Sequence, residues 1–368
     1  MMIHFAIGTK AQLIKVAPVM KKLAERGIAY RYIDLGQHPR TTTRLREIFG
    51  LKEPDVSLAL KGSSNVASLK GAVQWIACFL WKALRTRDRA MQFVFNGLPG
   101  ICVIHGDTLS TLFGLLVAKR AGLKVFHLEA GLRSWNFLHP FPEEILRLLC
   151  MKYAHHLAAP GDWAFGNLRK MGFAAKAIQT YGNTGAEAVL EMLPPFPASD
   201  RQIEPFALVS IHRFETITNR SRLKALVDFV LECVAQIAVR FVLHEPTECA
   251  LNRFGLLQIL SERGVSLTPL LDYPDFLHLI QTSEFVVTDG GSVQEECFAL
   301  GKPCLLFRKR TERQEGLGEN VCLSRLDPAA LRTFIRDYPS YRRRPVSMKR
   351  SPSDIVIDVL ISEGYTET

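Results

Sequence analysis

Acids, bases and hydroxyls of this chain gather just behind short apolar runs, where parallel strands would deliver them to one edge of a sheet. Asp107 follows Ile101–Ile104 in the run His105-Gly106-Asp107-Thr108, and a carboxylate there serves either as a helix N-cap or as an acid–base group. Glu129 lies between the apolar Lys124–Leu128 and the turn Ala130-Gly131. Glutamate caps helices poorly, so a ligand contact is the better reading. Glu143 and Glu144 open a helical stretch behind Pro140-Phe141-Pro142, where acids complement the helix dipole. Glu143 also shares a face with Arg147, four residues on, and that face neighbours the loop of Glu129. His212 and Arg213 follow Phe206–Ser210, placing an imidazole and a guanidinium at a strand end.

Two further turns suit an anion. Gly8-Thr9-Lys10 closes the run Ile3–Ile7 and opens a helix, so its amides and the helix dipole can face a phosphate, with Lys10 and Lys15 adding charge. Thr288-Asp289-Gly290-Gly291-Ser292 reads as strand, turn and helix start. It offers several amides and the Ser292 hydroxyl at a helix N-terminus, a physical solution for a diphosphate, although a plain tight turn would read the same way. Glu296, one turn into that helix, comes within reach of ribose hydroxyls, and Arg313 adds a cation to the same rim.

Positioning these groups takes alternating strands and helices. Ile3–Ile7, Ile28–Leu35, Ile101–Ile104 and Lys124–Leu128 read as strands, with a helix over Ala11–Arg26. After a helical stretch at Ala186–Met192, Pro194 to Pro205 holds four prolines in twelve residues and breaks the chain. A second series follows in Phe206–Ser210, Arg240–Leu243, Phe285–Val287 and Cys304–Phe307, with a helix over Leu223–Ala238. The expectation is two doubly wound α/β domains, with site residues drawn from strand ends in both.

Composition bounds the partners. The chain has 368 residues, 48% hydrophobic and 22% charged, which excludes disordered and fibrous classes. Its formal charge of +10 calls for an anionic partner. The basic surplus is scattered and carries no nucleic-acid motif, so a polymer is set aside. Eight cysteines without a C-x-x-C pair, several in apolar runs, read as reduced thiols. The N-terminus lacks signal-peptide features, and a cytoplasmic protein is expected. Ala72–Leu84 is too short to span a bilayer, which takes about 20 residues. With Lys82, Arg85, Arg87 and Arg89 behind it, the segment reads as a buried or amphipathic helix, and a weak contact with an anionic membrane stays open. Arg342–Arg350 reads as a solvated linker ahead of a terminal helix.

The motifs GTKAQLIKVAPV, GQH at Gly36–His38, HGDT, EAGLR, PFPEE, GNT at Gly182–Thr184, HRFE, TDGGSVQEE, GKP and RTERQE stand in one order from Gly8 to Glu315. That order resembles the non-hydrolysing UDP-N-acetylglucosamine 2-epimerases. The resemblance implies a GT-B fold: two Rossmann-like doubly wound domains facing a central cleft, residues 1–183 joined by a C-terminal helix at about 353–368, and a UDP-binding domain at 184–352. It further implies a homodimer, no metal or other cofactor, and a UDP-N-acetylhexosamine substrate for cell-surface polysaccharide synthesis. The family eliminates UDP to a glycal and adds it back after reprotonation on the other face of C2. In this sequence the matching catalytic positions are Asp107, Glu129, Glu143 and His212. Clustered carboxylates should push one another's pKa values apart, so that one serves as acid and another as base. Lys10, Lys15, Arg147, Arg213, Gly290, Gly291, Ser292, Glu296 and Arg313 match binding positions, and Phe276 supplies a face for uracil.

Departures fall outside the catalytic groups. The family's GTRPE reads Gly8-Thr9-Lys10-Ala11-Gln12, exchanging a forked guanidinium for a point charge. Its Ser-Gly-Gly turn reads Gly290-Gly291-Ser292, HRRE reads HRFE, WPEE reads FPEE and TERPE reads TERQE. These changes leave the sugar open to deoxy, diacetamido or uronic variants. The family's second, activating site lies near GQH, where Gln37 and His38 are present amid diverged neighbours, so allostery stays open. A hydrolysing epimerase, a GT-B glycosyltransferase and an inactive UDP-sugar-binding relative are the rival readings.

Overall fold

Strands buried on both faces read as continuous apolar runs, and such runs here build two all-parallel sheets. The computed structural model describes residues 1–37, 39–58, 86–137, 142–193 and 204–365. His38, Ala72–Leu84 with Lys82, Cys78, Arg85, Pro140, Phe141 and residues 194–203 of the proline-rich stretch lie outside them. By its contacts the chain divides into Met1–Ala188 with Met348–Thr368, and Val189–Ser347.

The first unit carries β1 (Met2–Ile7), β2 (Tyr30–Asp34), β3 (Val56–Ser57), β4 (Gly100–His105), β5 (Lys124–Leu128), β6 (His156–Ala159) and β7 (Ala177–Gln179). They pair in the order β3-β2-β1-β4-β5-β6-β7. Chain direction across the sheet reverses between β1 and β4, so the loops leaving those two strands flank the switch point where open α/β sheets bind ligands. Crossover segments include α1 (Lys10–Glu25), α2 (Pro39–Ile48), α3 (Leu109–Ala121), α4 (Glu143–Tyr153), α5 (Asp162–Lys170) and α6 (Thr184–Met192). Their apolar sides bury Phe113, Leu115, Met151 and Leu168 against Cys102, Ile104, Val125 and Leu157 of the sheet.

The second unit repeats the plan with β8 (Phe206–Ile211), β9 (Ala238–Leu243), β10 (Ser266–Pro269), β11 (Phe285–Thr288), β12 (Cys304–Leu306) and β13 (Val321–Leu323), in the order β10-β9-β8-β11-β12-β13. Its switch point lies between β8 and β11. The helices α7 (Arg220–Val234), α8 (Glu245–Arg253), α9 (Tyr273–Thr282), α10 (Gly291–Ala299) and α11 (Pro328–Asp337) accompany this sheet.

Residues 342–350 carry no regular structure, and the chain then returns to the first unit as α12 (Pro352–Ser362). Buried Glu187 of α6 receives the hydroxyl of Ser351 at 2.5 Å and the amide and hydroxyl of Ser353 at 3.0 and 2.6 Å. Lys22 of α1 and Arg26 just beyond its end reach Asp354 on α12. Cys102, Cys150, Cys233, Cys297 and Cys304 are buried free thiols, whereas Cys249 is exposed. Among the described residues no helix is long and apolar enough to cross a membrane.

Candidate active site

In the first unit the polar groups converge behind β1, β4 and β5. Gly8 and Thr9 do not offer their amides to an anion, because both donate to the Gln12 side chain, at 2.9 and 3.1 Å. Thr9 is the N-cap of α1, and Gln12 completes a capping box. The Gln12 amide group then donates to the His105 carbonyl at 2.8 Å and the Thr111 hydroxyl at 2.8 Å, tying the β1 turn to the β4 turn. A side chain on Gly8 would lie 2.5 Å from the Ser110 Cβ, so glycine there permits close approach of α3. Lys10 is the first residue of α1 and is half-buried.

Thr108, not Asp107, caps α3, which leaves the Asp107 carboxylate to a different partner. It accepts from Arg147 Nη2, and Arg147, nearly inaccessible to solvent, donates its other nitrogen to Glu144 at 2.6 Å. Glu144 is fully buried and also receives Arg133 Nε at 2.6 Å. On its own helix Arg147 thus pairs with Glu144, three residues back, and Glu143 is half-buried at the helix start. Arg133 lies over the Trp135 ring at 4.2 Å.

Glu129 takes a left-handed backbone (φ 60°), at a cost on the order of 1 kcal/mol for a residue with a Cβ. Its buried carboxylate accepts from Lys15 Nζ and from Asn183 Nδ2 at 2.8 Å, with His105 Nδ1 at 3.8 Å. Asp107 and Glu129 thus each hold a cation of their own. The ring of His127, wholly buried on β5, feels both carboxylates, yet its burial lowers its pKa to about 4.

In the second unit the switch point carries His212 and Arg213 after β8, and Gly290, Gly291 and Ser292 at the start of α10. Asp289 organises them: its carboxylate accepts the backbone amides of His212 and Arg213 at 2.9 and 3.1 Å. Burial raises the Asp289 pKa, and these amide bonds oppose the rise. A side chain on Gly290 would lie 2.6 Å from His212 Cε1, and one on Gly291 3.0 Å from Arg313 Nε, so both glycines admit a basic group to the helix N-terminus. The His212 ring packs on His244 at 4.7 Å between centroids. Arg313 donates to Glu295 at 3.1 Å. Glu296 faces Tyr273 of α9, whose phenol is pushed well up by burial and by this acid; Phe276 lies one turn further along α9 and is buried.

The sequence reading missed Asp289, Glu144, Gln12 and His127 as organisers. Among the described residues no group of three His, Cys, Asp or Glu is arranged to hold a metal ion.

Two parallel-sheet α/β domains in one chain, each with polar groups at its switch point, define a protein of the GT-B class. The chain belongs to the UDP-N-acetylglucosamine 2-epimerase family, whose sequence model matches residues 21–350. It is 30% identical over 339 residues to the UDP-N-acetylglucosamine 2-epimerase of Methanocaldococcus jannaschii, covering 87% of this chain and 88% of that one. It is also 30% identical over 316 residues to the UDP-2,3-diacetamido-2,3-dideoxy-D-glucuronate 2-epimerase of Pseudomonas aeruginosa, covering 83% of each chain. The crystal structure of the M. jannaschii enzyme in complex with UDP-GlcNAc and UDP is similar with a TM-score of 0.82 at 26% identity, over 99% of this chain and 100% of that one.

Proposed function

We propose that this chain inverts C2 of a UDP-N-acetylhexosamine, interconverting UDP-N-acetylglucosamine and UDP-N-acetylmannosamine or a close variant, without hydrolysis. The supporting observation is the pair Asp107 and Glu129 behind the adjacent strands β4 and β5, each carboxylate seated on a separate cation. In this reading a carboxylate among Asp107, Glu129 and Glu143 takes the C2 proton. The C–H electron pair becomes the C1=C2 bond, and the C1–O pair leaves with UDP. Return of a proton to the opposite face of C2 and re-addition of the UDP oxygen to C1 complete the inversion, with no water consumed. His212, Arg213, Arg313 and the amides of Gly291 and Ser292 stabilise the charge that develops on the departing diphosphate, the Gly290 amide being taken by the Thr288 hydroxyl at 3.0 Å. Lys10, Lys15 and Arg147 complete the sugar and phosphate contacts, Phe276 the uracil contact and Glu296 the ribose contact.

The test is proton NMR in deuterated water. Deuterium is expected to enter C2 as the second epimer accumulates, with no free N-acetylmannosamine released. UDP release only on addition of an acceptor sugar would sink the reading. The diacetamido uronate relative makes that sugar nucleotide the second substrate to try.

The same reading includes a homodimer. Ile145, Leu149 and Tyr153 recur every fourth residue on α4 and are exposed, an apolar stripe suited to a second copy. Light scattering after size exclusion is expected to give twice the chain mass, and Leu149→Glu to reduce it to one.

A further inference from the structure

Arg308 stands two residues beyond β12, the strand beside β11, and the Phe307 amide bonds the Thr288 carbonyl just ahead of Asp289 and Gly290. Only 8% of the residue is exposed. One guanidinium nitrogen, Nη2, donates to Glu312 Oε2 at 3.3 Å, while Glu312 Oε1 lies 3.8 Å from Arg213 Nη2. One carboxylate is therefore shared by two guanidiniums. Glu312 Oε1 is also 3.5 Å from where a Cβ on Gly291 would stand, which places this group beside the N-terminus of α10. The other terminal nitrogen of Arg308, Nη1, is buried and has no hydrogen-bond partner among the described residues. A buried charged donor left unpaired costs at least as much as a broken hydrogen bond, so its persistence calls for an acceptor that arrives with a ligand. Asp289 is near but occupied by the His212 and Arg213 amides.

We propose that Arg308 is a further substrate-binding residue, its Nη1 donating to a diphosphate oxygen of the sugar nucleotide at the start of α10. This assignment rests on the epimerase reading above and adds a residue that the sequence motifs did not supply. Glu312 acts as a spacer that holds the Arg213 and Arg308 forks apart, and the diphosphate becomes the second acceptor they share. A guanidinium suits the task because its nitrogens can serve a carboxylate and a phosphate at once.

Calorimetric titration of the full chain with UDP and with uridine tests it. Arg308→Gln is expected to weaken UDP roughly tenfold to a hundredfold, the worth of one charge-assisted bond, and to leave uridine unchanged. Lys309→Gln and Arg310→Gln remove neighbouring exposed charges and should leave both affinities alone. If Arg308→Gln does not fold, Arg308→Lys takes its place, since it keeps the charge but loses the fork, and the same selective loss of UDP is expected. Equal weakening of UDP and uridine, or no weakening, overturns the assignment. Failure of the unaltered protein to bind UDP overturns the epimerase reading itself, which separates the two.

Discussion

The ring of His127 donates from Nε2 to the carbonyl oxygen of Gly106 at 2.7 Å, and this bond joins the strand that Glu129 directly follows to the turn that carries Asp107. A carbonyl only accepts, so the proton is on Nε2, and a pKa near 4 keeps the ring neutral in the folded protein. Gly106 sits at φ 71°, so its carbonyl is held in a turn that ordinary residues avoid. His127→Phe removes the donor and should let Asp107 drift relative to Glu129. We expect the rate of C2 exchange to fall roughly tenfold to a hundredfold while KM changes little, because misplacement of a reacting group acts on the chemical step. His127→Gln, which restores an N–H, should recover part of the rate. A loss that appears equally in KM, with no recovery in the glutamine variant, would mean a merely structural role.

Glu143 and Glu144 are adjacent yet face different surroundings, and the prediction separates them. Glu144→Gln removes the only acid between Arg133 and Arg147 among the bonds described, so two buried guanidiniums lose their shared partner. Breaking a buried pair in this way costs about 3–5 kcal/mol, and thermal unfolding should shift down by many degrees. Glu143 is half-buried at the helix start, and Glu143→Gln should abolish deuterium incorporation at C2 with the unfolding temperature nearly unchanged. Reversal of the two phenotypes would transfer the chemistry to Glu144.

The strand ends were legible because a parallel strand buried on both faces announces itself as an apolar run, and its following residues must then lie at the sheet edge. The positions of Asp107, Glu129, His212 and the Gly290–Ser292 turn just behind strands were legible in that way. Orientation was less legible. Glu143 and Glu144 differ by one step of about 100° around a helix, and only the packing of Arg133 and Arg147 decides which is enclosed. His127 hides inside a strand that reads as apolar, and Arg308 follows a strand without any turn signal. The short edge strands Val56–Ser57 and Ala177–Gln179 hold too few apolar residues to register as runs. Gln12 reads as an unremarkable helix residue, although its side chain holds two turns together.

Gln12 should be one of the more sensitive positions outside the apolar core. Its carbonyl oxygen receives the amides of Gly8 and Thr9 and the Ser110 hydroxyl, while its nitrogen serves His105 and Thr111. Gln12→Ala strands several buried polar groups at once and should cost about 2 kcal/mol or more. Urea unfolding measures this. A cost below about 0.5 kcal/mol would show that water replaces the side chain without penalty.

Acid should destabilise the first unit before any carboxylate reaches its ordinary pKa. Burial lowers both His4 and His127 from 6.5 to about 4. Between those values the unfolded chain binds protons that the folded chain refuses, so stability falls as pH drops from 6.5 toward 4 and levels off below. Each ring contributes at most about 3 kcal/mol to this loss. Asp34, whose carboxyl burial pushes up, acts in the opposite sense at the acid end of the range and moderates it. His4 packs edge-on against Phe95 at 4.9 Å and bonds the Leu98 carbonyl at 3.1 Å. His4→Gln should therefore be less stable than the unaltered protein at pH 7 but lose less on acidification. Urea midpoints measured from pH 7 to pH 4.5 should show the two curves converging, and curves that run parallel would mean that His4 takes up its proton in the folded protein at the same pH as in the unfolded chain.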